Sequence, residues 1–308
     1  MIRNITYFTL HLMMLNVPSI IKLQDRFTHI FSLINEFTDL RYFWMTNKDF
    51  WKSIERKNLC SIRLNRERSN KYLESIKFRK YIISSVSDYS KQISLNLSNC
   101  SNITNVSALG NVNTLILSFC RGITDVSPLG KVQCLDLSTC LNISDVKTLG
   151  KVHSLNLAKC QSITDVSALG NVNTLNLTNC SNITDVSALG NVHTLILVGC
   201  LGITDVKALG NVHTLNLAKC QSITDVSALG NVNKLNLSHC YNITDVSALG
   251  NVQSLNLSNC SSITDVSALG NVQTLNLTNC RGVTDVRALE NVPILINVNT
   301  LRMGIEWF

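Results

Sequence analysis

Long apolar runs are missing from this 308-residue chain, and so is any stretch that reads as an export signal. The most apolar segment near the amino terminus, Ile5 to Val17, is interrupted by Thr9, His11 and Asn16, and no small-residue cleavage site follows it. It is too short and too polar to span a bilayer, so no membrane association is expected. Charge is scarce as well, at 15% of residues. The net charge of +7 lies in residues 1–90, with 15 basic and 8 acidic side chains, while the remainder is balanced at 12 of each. No nucleic-acid motif accompanies the basic stretch Lys52 to Lys80, so a solvated helix face or an acidic partner is the expected reading and nucleic acid is disfavoured. The chain also lacks unlike reactive groups that could converge on one place. Its acids are nearly all one repeated Asp, so no catalytic residue, cofactor or small-molecule substrate is expected.

What the chain has instead is one phrase, repeated. Cysteine stands at Cys100, Cys120, Cys140 and so on to Cys280, ten times with no slip of register. Around Cys180 the phrase reads Leu175, Leu177, Cys180, Ile183, Asp185, Val186, Leu189, Gly190, Val192, and then begins again at Leu195. Leu175 and Leu177 are two apart and share one side of an extended strand, so Asn176 and Thr178 face the other way. From Cys180 onward the apolar residues return about every third position, as in a tight return path of turns. Asp185 and Ser187 suit caps, Pro128 fits a first helical turn, and Gly190 is expected to supply the left-handed residue that ends it. A unit of this length has no room for a full helix. With parallel strands ~4.8 Å apart, ten units predict one right-handed solenoid over 93–292 whose inner arc is on the order of 48 Å.

Only Cys60 and Cys134 fall outside the repeat position. Strands ~4.8 Å apart hold neighbouring Cβ atoms farther apart than the ~3.8 Å a disulfide prefers, so the repeat thiols are expected to be reduced, buried and structural. That suits a reducing, intracellular and cytoplasmic setting. Sequons on the strands, such as Asn176-Leu177-Thr178 and Asn236-Leu237-Ser238, would risk glycosylation on a secretory route. His153, His193 and His213 share one repeat position without an accompanying acid or thiol, and no metal site is expected.

The phrase L-x-L-x-x-C-x-x-I-T-D resembles the leucine-rich repeat of the cysteine-containing type, and I-T-D-V-S-A-L-G-N-V is similar to the compact convex half of the shortest such repeats. The resemblance implies an α/β solenoid: a leucine-rich-repeat horseshoe of ten 20-residue units over 91–292, with a parallel sheet on the concave face. The outward strand positions are then the candidate partner-binding column: Asn96, Ile116, Asp136, Asn156, Asn176, Ile196, Asn216, Asn236, Asn256 and Asn276. The asparagines either offer amides to a protein target or stabilise the sheet by stacking. The exceptions Ile116, Asp136 and Ile196 are sources of selectivity, and Asn176→Ser is expected to change stability little. Phe119, Arg121, Leu141, Leu201, Tyr241 and Arg281 add variety at the rim. Asn105 departs from the usual Asp, and Glu290 from the usual Gly.

Residues 1–58 follow a different grammar. Phe27, Ile30, Phe31 and Ile34 recur at helical spacing, and Leu40, Phe43 and Trp44 begin a second run. Leu23, the pair Ile30-Phe31, the pair Asp39-Leu40 and the aromatic Phe50-Trp51 resemble an F-box, although the proline expected after Leu23 is absent. A plain helical cap for the solenoid fits the same pattern. An F-box before leucine-rich repeats is a known domain order, and the resemblance implies a substrate receptor of a cullin-type ubiquitin ligase. In it Leu23, Ile30, Phe31, Leu40, Phe50 and Trp51 would bind Skp1, the cullin would follow, and the repeats would present the target. The near-identity of the units is similar to proteins of giant viruses that infect amoebae, which implies host ubiquitin machinery as partner. An interaction scaffold with no ubiquitin link is the alternative. Residues 59–90 are expected to be a connecting helix and amino-terminal cap, with Leu73, Ile76 and Ile83 against the first repeat. Residues 293–308 are expected to be the carboxy-terminal cap.

Overall fold

The computed structural model describes residues 61–64, 66–78, 80 and 92–296. The chain divides into two units at Asn58 and Leu59, and all described residues belong to the second. Within it one parallel sheet of twelve strands runs in strict sequence order. Strand β1 (Ser61–Leu64) pairs with β2 (Gln92–Asn96), and a strand of three residues follows in every repeat, from β3 (Thr114–Ile116) to β11 (Thr274–Asn276) and β12 (Ile294–Ile296). The register is set by equivalence, Leu155 beside Leu175 and Asn156 beside Asn176. A one-residue slip would place every leucine on the open face.

The core is a stack of like residues. Leu175, Leu177, Cys180, Ile183 and Leu189 are wholly buried, with Val186 and Val192 nearly so, and the same letters are buried in unit after unit. Opposite the strands, each repeat makes a short 3₁₀ turn such as Ser187–Asn191. Asp185 starts it by accepting the Ser187 N–H at 2.8 Å, and Asn105 does the same for Ser107 at 2.9 Å. One Oδ1 is all the turn requires, which is why Asn can replace Asp at that point.

The left-handed residue is not Gly190. That glycine lies inside the 3₁₀ turn, and the equivalent Gly170 has φ −59°. Left-handed backbone falls on the residue just before each cysteine, from Asn99 at φ 59° to Asn279 at φ 62°, with Gly199 at φ 69° among them. Gly190 is needed for packing, because a Cβ there would run into the carbonyl oxygen of Ala208 in the next turn. Glu290 is accommodated because no further 3₁₀ turn follows among the described residues. We expect Gly190→Ala to lower stability by about 1–3 kcal/mol through overpacking against backbone, measured by denaturant unfolding, whereas Glu290→Gly is close to neutral.

The amino-terminal end of the sheet is closed by helix α1 (Arg66–Glu74). Ser69 and Tyr72 are fully buried there, and Leu73 packs partly against the core. Ser69 Oγ accepts the Asn96 N–H at 3.3 Å. Ile76 does not line the first repeat as the sequence suggested, since it is 64% exposed. At the other end β12 adds a strand inside the segment expected to be a cap. Ile83 and residues 297–308 lie outside the described residues.

Candidate functional site

The strand face is built from three outward positions per unit, those of Thr174, Asn176 and Thr178. Asn176 and Thr178 flank Leu177, half-buried by neighbours in adjacent strands. The asparagines do not form an open ladder of amides. Asn176 Oδ1 accepts the Thr178 N–H at 3.0 Å and the Thr178 hydroxyl at 2.7 Å. Asn96, Asn156, Asn216, Asn236, Asn256 and Asn276 each accept the N–H two residues on, and Asp136 accepts that of Ser138 at 2.8 Å. The bond satisfies a backbone donor where the strand ends and the chain turns, since the sheet takes the N–H groups on either side of it: Leu177 donates to Ile196 and Asn179 to Val198. Each oxygen is thus used within its own unit, and the strand asparagines make no bond to one another among the described residues. Ile116 and Ile196 lack this acceptor, so they are the positions in the column that give up a backbone bond for an apolar surface. A spacing rule of Asn followed by a turn two residues later would have revealed the role.

The exit rim beyond the strands is the more varied surface. Its left-handed position carries Phe119, Thr139, Lys159, Lys219 and His239 in five units, where Asn or Gly stands in the others. A side chain other than Gly in this conformation costs about 1–2 kcal/mol, less for Asn. Phe119, Thr139, Lys159 and Lys219 therefore stand against local preference, a pattern associated with function, whereas a histidine is better tolerated there. Two positions later the rim exposes Leu201 at 51% and Tyr241 at 40%, and Phe119 itself is 46% exposed. Tyr241 meets His239 Nδ1 at 3.0 Å, and Asn259 approaches Nε2 of the same ring at 3.4 Å. His193 and His213 stack with ring centroids 4.5 Å apart, but no group of three or more metal-ligating side chains gathers among the described residues.

The thiols are not part of this surface. No disulfide is formed among the described cysteines, and those of the repeat position are buried. From Cys120 to Cys280, each repeat cysteine donates its S–H to a carbonyl of the preceding unit, Cys180 to Leu157 at 3.2 Å and Cys220 to Leu197 at 3.0 Å. Cys100, in the first rung, differs, with Asn70 Oδ1 on α1 and the Ser98 carbonyl of its own unit both 3.7 Å from its sulfur. Burial pushes the Cys180 and Cys220 thiols up to about 11. Cys134 lies on the strand face, half-buried. Leu23, Ile30, Phe31, Leu40, Phe50 and Trp51 lie outside the described residues.

Strand, left-handed turn and 3₁₀ return, repeated in register, make this a leucine-rich-repeat solenoid. No family model matches the sequence, and no curated protein does. Among solved structures the chain is similar to an internalin, InlF, of Listeria monocytogenes, at 21% identity and TM-score 0.41, covering 73% of this chain and 84% of that one. It is also similar to the functional domain of InlJ from the same organism, described as including a cysteine ladder, at 17% identity and TM-score 0.44, covering 71% and 54%. A leucine-rich-repeat protein of Leptospira interrogans matches at 15% identity and TM-score 0.32, covering 68% and 78%.

Proposed function

We propose that this protein is a non-catalytic interaction module that holds a protein partner along the strand face and its exit rim. One observation carries the reading. The units repeat the return path almost letter for letter, from Ile183 through Val192, yet vary freely on the rim, where position 99 and its equivalents read Asn, Phe, Thr, Lys, Asn, Gly, Lys, His, Asn, Asn. The core dictates none of these residues, and three of the rim's large apolar side chains are open to solvent. Such surfaces are where solenoids accommodate ligands.

Ile196→Asn separates binding from folding. It supplies the acceptor that Val198 lacks and should raise stability by about 0.5–1.5 kcal/mol in denaturant unfolding. It should weaken capture of a partner retained by the wild-type chain. A variant that is more stable and binds unchanged would remove Ile196 from the interface.

The finer form of the proposal is that residues 1–58 bind Skp1 and its cullin, making the chain a substrate receptor of a ubiquitin ligase inside a reducing cell compartment. The Ile30-Phe31, Asp39-Leu40 and Phe50-Trp51 spacing before the repeats supports it. Purified Skp1 should be retained by the full chain, and Phe31→Ala should weaken that by about 1–3 kcal/mol. Failure of the wild type to retain Skp1 leaves the scaffold reading in place.

A further inference from the structure

The repeats are neutral in sum but not in space. Nine aspartates, from Asp125 to Asp285, stand in one row beside the 3₁₀ turns, where Lys131, Lys147, Lys151, Lys207 and Arg287 offset only part of their charge. The strand face and exit rim hold Arg121, Lys159, Lys219, Lys234 and Arg281, all exposed. Their acid is Asp136, and one of its oxygens is already bonded to Ser138. Lys159 and Lys219 also occupy the left-handed position, at φ 63° and φ 65°, where a lysine is disfavoured and a sister repeat places asparagine. No ion pair is formed by these five cations among the described residues, where the salt bridge present joins Arg287 to Asp285 on the other edge. The local geometry therefore gains nothing from the lysines.

We infer that the partner presents an extended acidic segment to the strand face and exit rim, an inference that rests on the interaction reading above. Charge density selects the occupant. From Arg121 to Arg281 there are eight strand intervals of ~4.8 Å, so five cations are spaced on average about 10 Å apart. Duplex nucleic acid carries a charge about every 1.7 Å and would be poorly neutralised. An extended peptide rises about 3.3 Å per residue, so one acid in every three residues matches the spacing. The aspartate row repels such a segment from the opposite edge and favours approach to the basic face.

The test uses the full chain and a fluorescent peptide of about twelve residues with Glu at every third position, against the same peptide with Gln. Anisotropy should show the Glu peptide binding about tenfold tighter at about 20 mM salt, with the advantage shrinking at about 150 mM. The triple variant Lys159→Asn, Lys219→Asn, Lys234→Thr places in each unit the residue a sister repeat carries. It should lose that tenfold advantage while melting no lower than wild type, and Asp185→Asn should leave affinity unchanged. Equal binding of the two peptides, no binding of the Glu peptide, an unaffected triple variant, or equally strong competition by a DNA duplex would each overturn the inference. Equal binding of both peptides that is lost with Ile196→Arg would do so while leaving the interaction reading intact.

Discussion

Raising the pH from about 9 toward 12 is expected to unfold the repeat array. Burial raises the thiol pKa from an ordinary 9.0 to about 11 at Cys180 and Cys220, and to about 12 at Cys140, Cys200, Cys240 and Cys260. Cys160 and Cys280 are raised by the same cause. The neutral thiol is the form the core accepts and the form that donates to the carbonyl of the preceding unit. Below pH 9 both folded and unfolded chains keep these protons, and the stabilisation is complete. Above it the unfolded chain releases protons that the folded chain holds, so stability falls as pH rises through the folded values. Each such thiol contributes about 1.4 kcal/mol per pH unit in that window, and the six raised to about 11 or 12 together about 8 kcal/mol per unit. Against a stability of about 5–15 kcal/mol that is decisive within one or two units. Circular dichroism during an alkaline titration under reducing conditions should show a steep loss of sheet signal above pH 9. Replacing several rungs by valine should shift the midpoint upward. A flat signal to pH 11 in the native protein would refute the ladder's role.

Cys180→Asp has the largest effect expected of any single substitution considered. The side chain is fully buried, and Leu157 presents a carbonyl oxygen where the thiol hydrogen lay. A carboxylate there has neither water nor a donor, and should lower stability by about 3–5 kcal/mol. Cys180→Ser keeps a donor aimed at the same oxygen and should be milder. Asn176→Ser provides the contrast on the open face, although the structure changes the expectation from little effect to a loss of about 1 kcal/mol, because Asn176 holds the Thr178 N–H. Urea unfolding of the three variants ranks them, and an aspartate variant as stable as the serine one would contradict the burial argument.

Array stability also depends on neighbours. In a solenoid each unit touches only the units beside it, so damage at Cys180 uncouples two halves that each retain several repeats. A broadened unfolding transition is therefore expected for Cys180→Asp.

Residues 17–58 illustrate the limit of reading a short, permissive motif. Its helical spacing is visible in the sequence, but Ile30-Phe31 and Asp39-Leu40 lie outside the described residues, and a binding role for them would depend on a partner. The repeats differ because the same burial pattern is stated ten times, and Leu175, Leu177 and Ile183 together admit one way of hiding them.

The sequence by itself determined the period, the strand at each Leu-x-Leu, the buried thiols and the uniform return path, since side-chain burial is written locally in spacings of two and three. Tertiary structure decided what depends on the unit next door. Gly190 exists for the carbonyl of Ala208 rather than for left-handed backbone, and Cys180 for the carbonyl of Leu157, contacts between residues about one repeat apart that no window of one unit contains. The left-handed conformation at Lys159 and Lys219, and the division of balanced charge into an acidic row and a basic face, likewise appear only once the units are stacked in register. Stacking brings equivalent residues within about 5 Å of each other and turns each repeat position into a continuous surface.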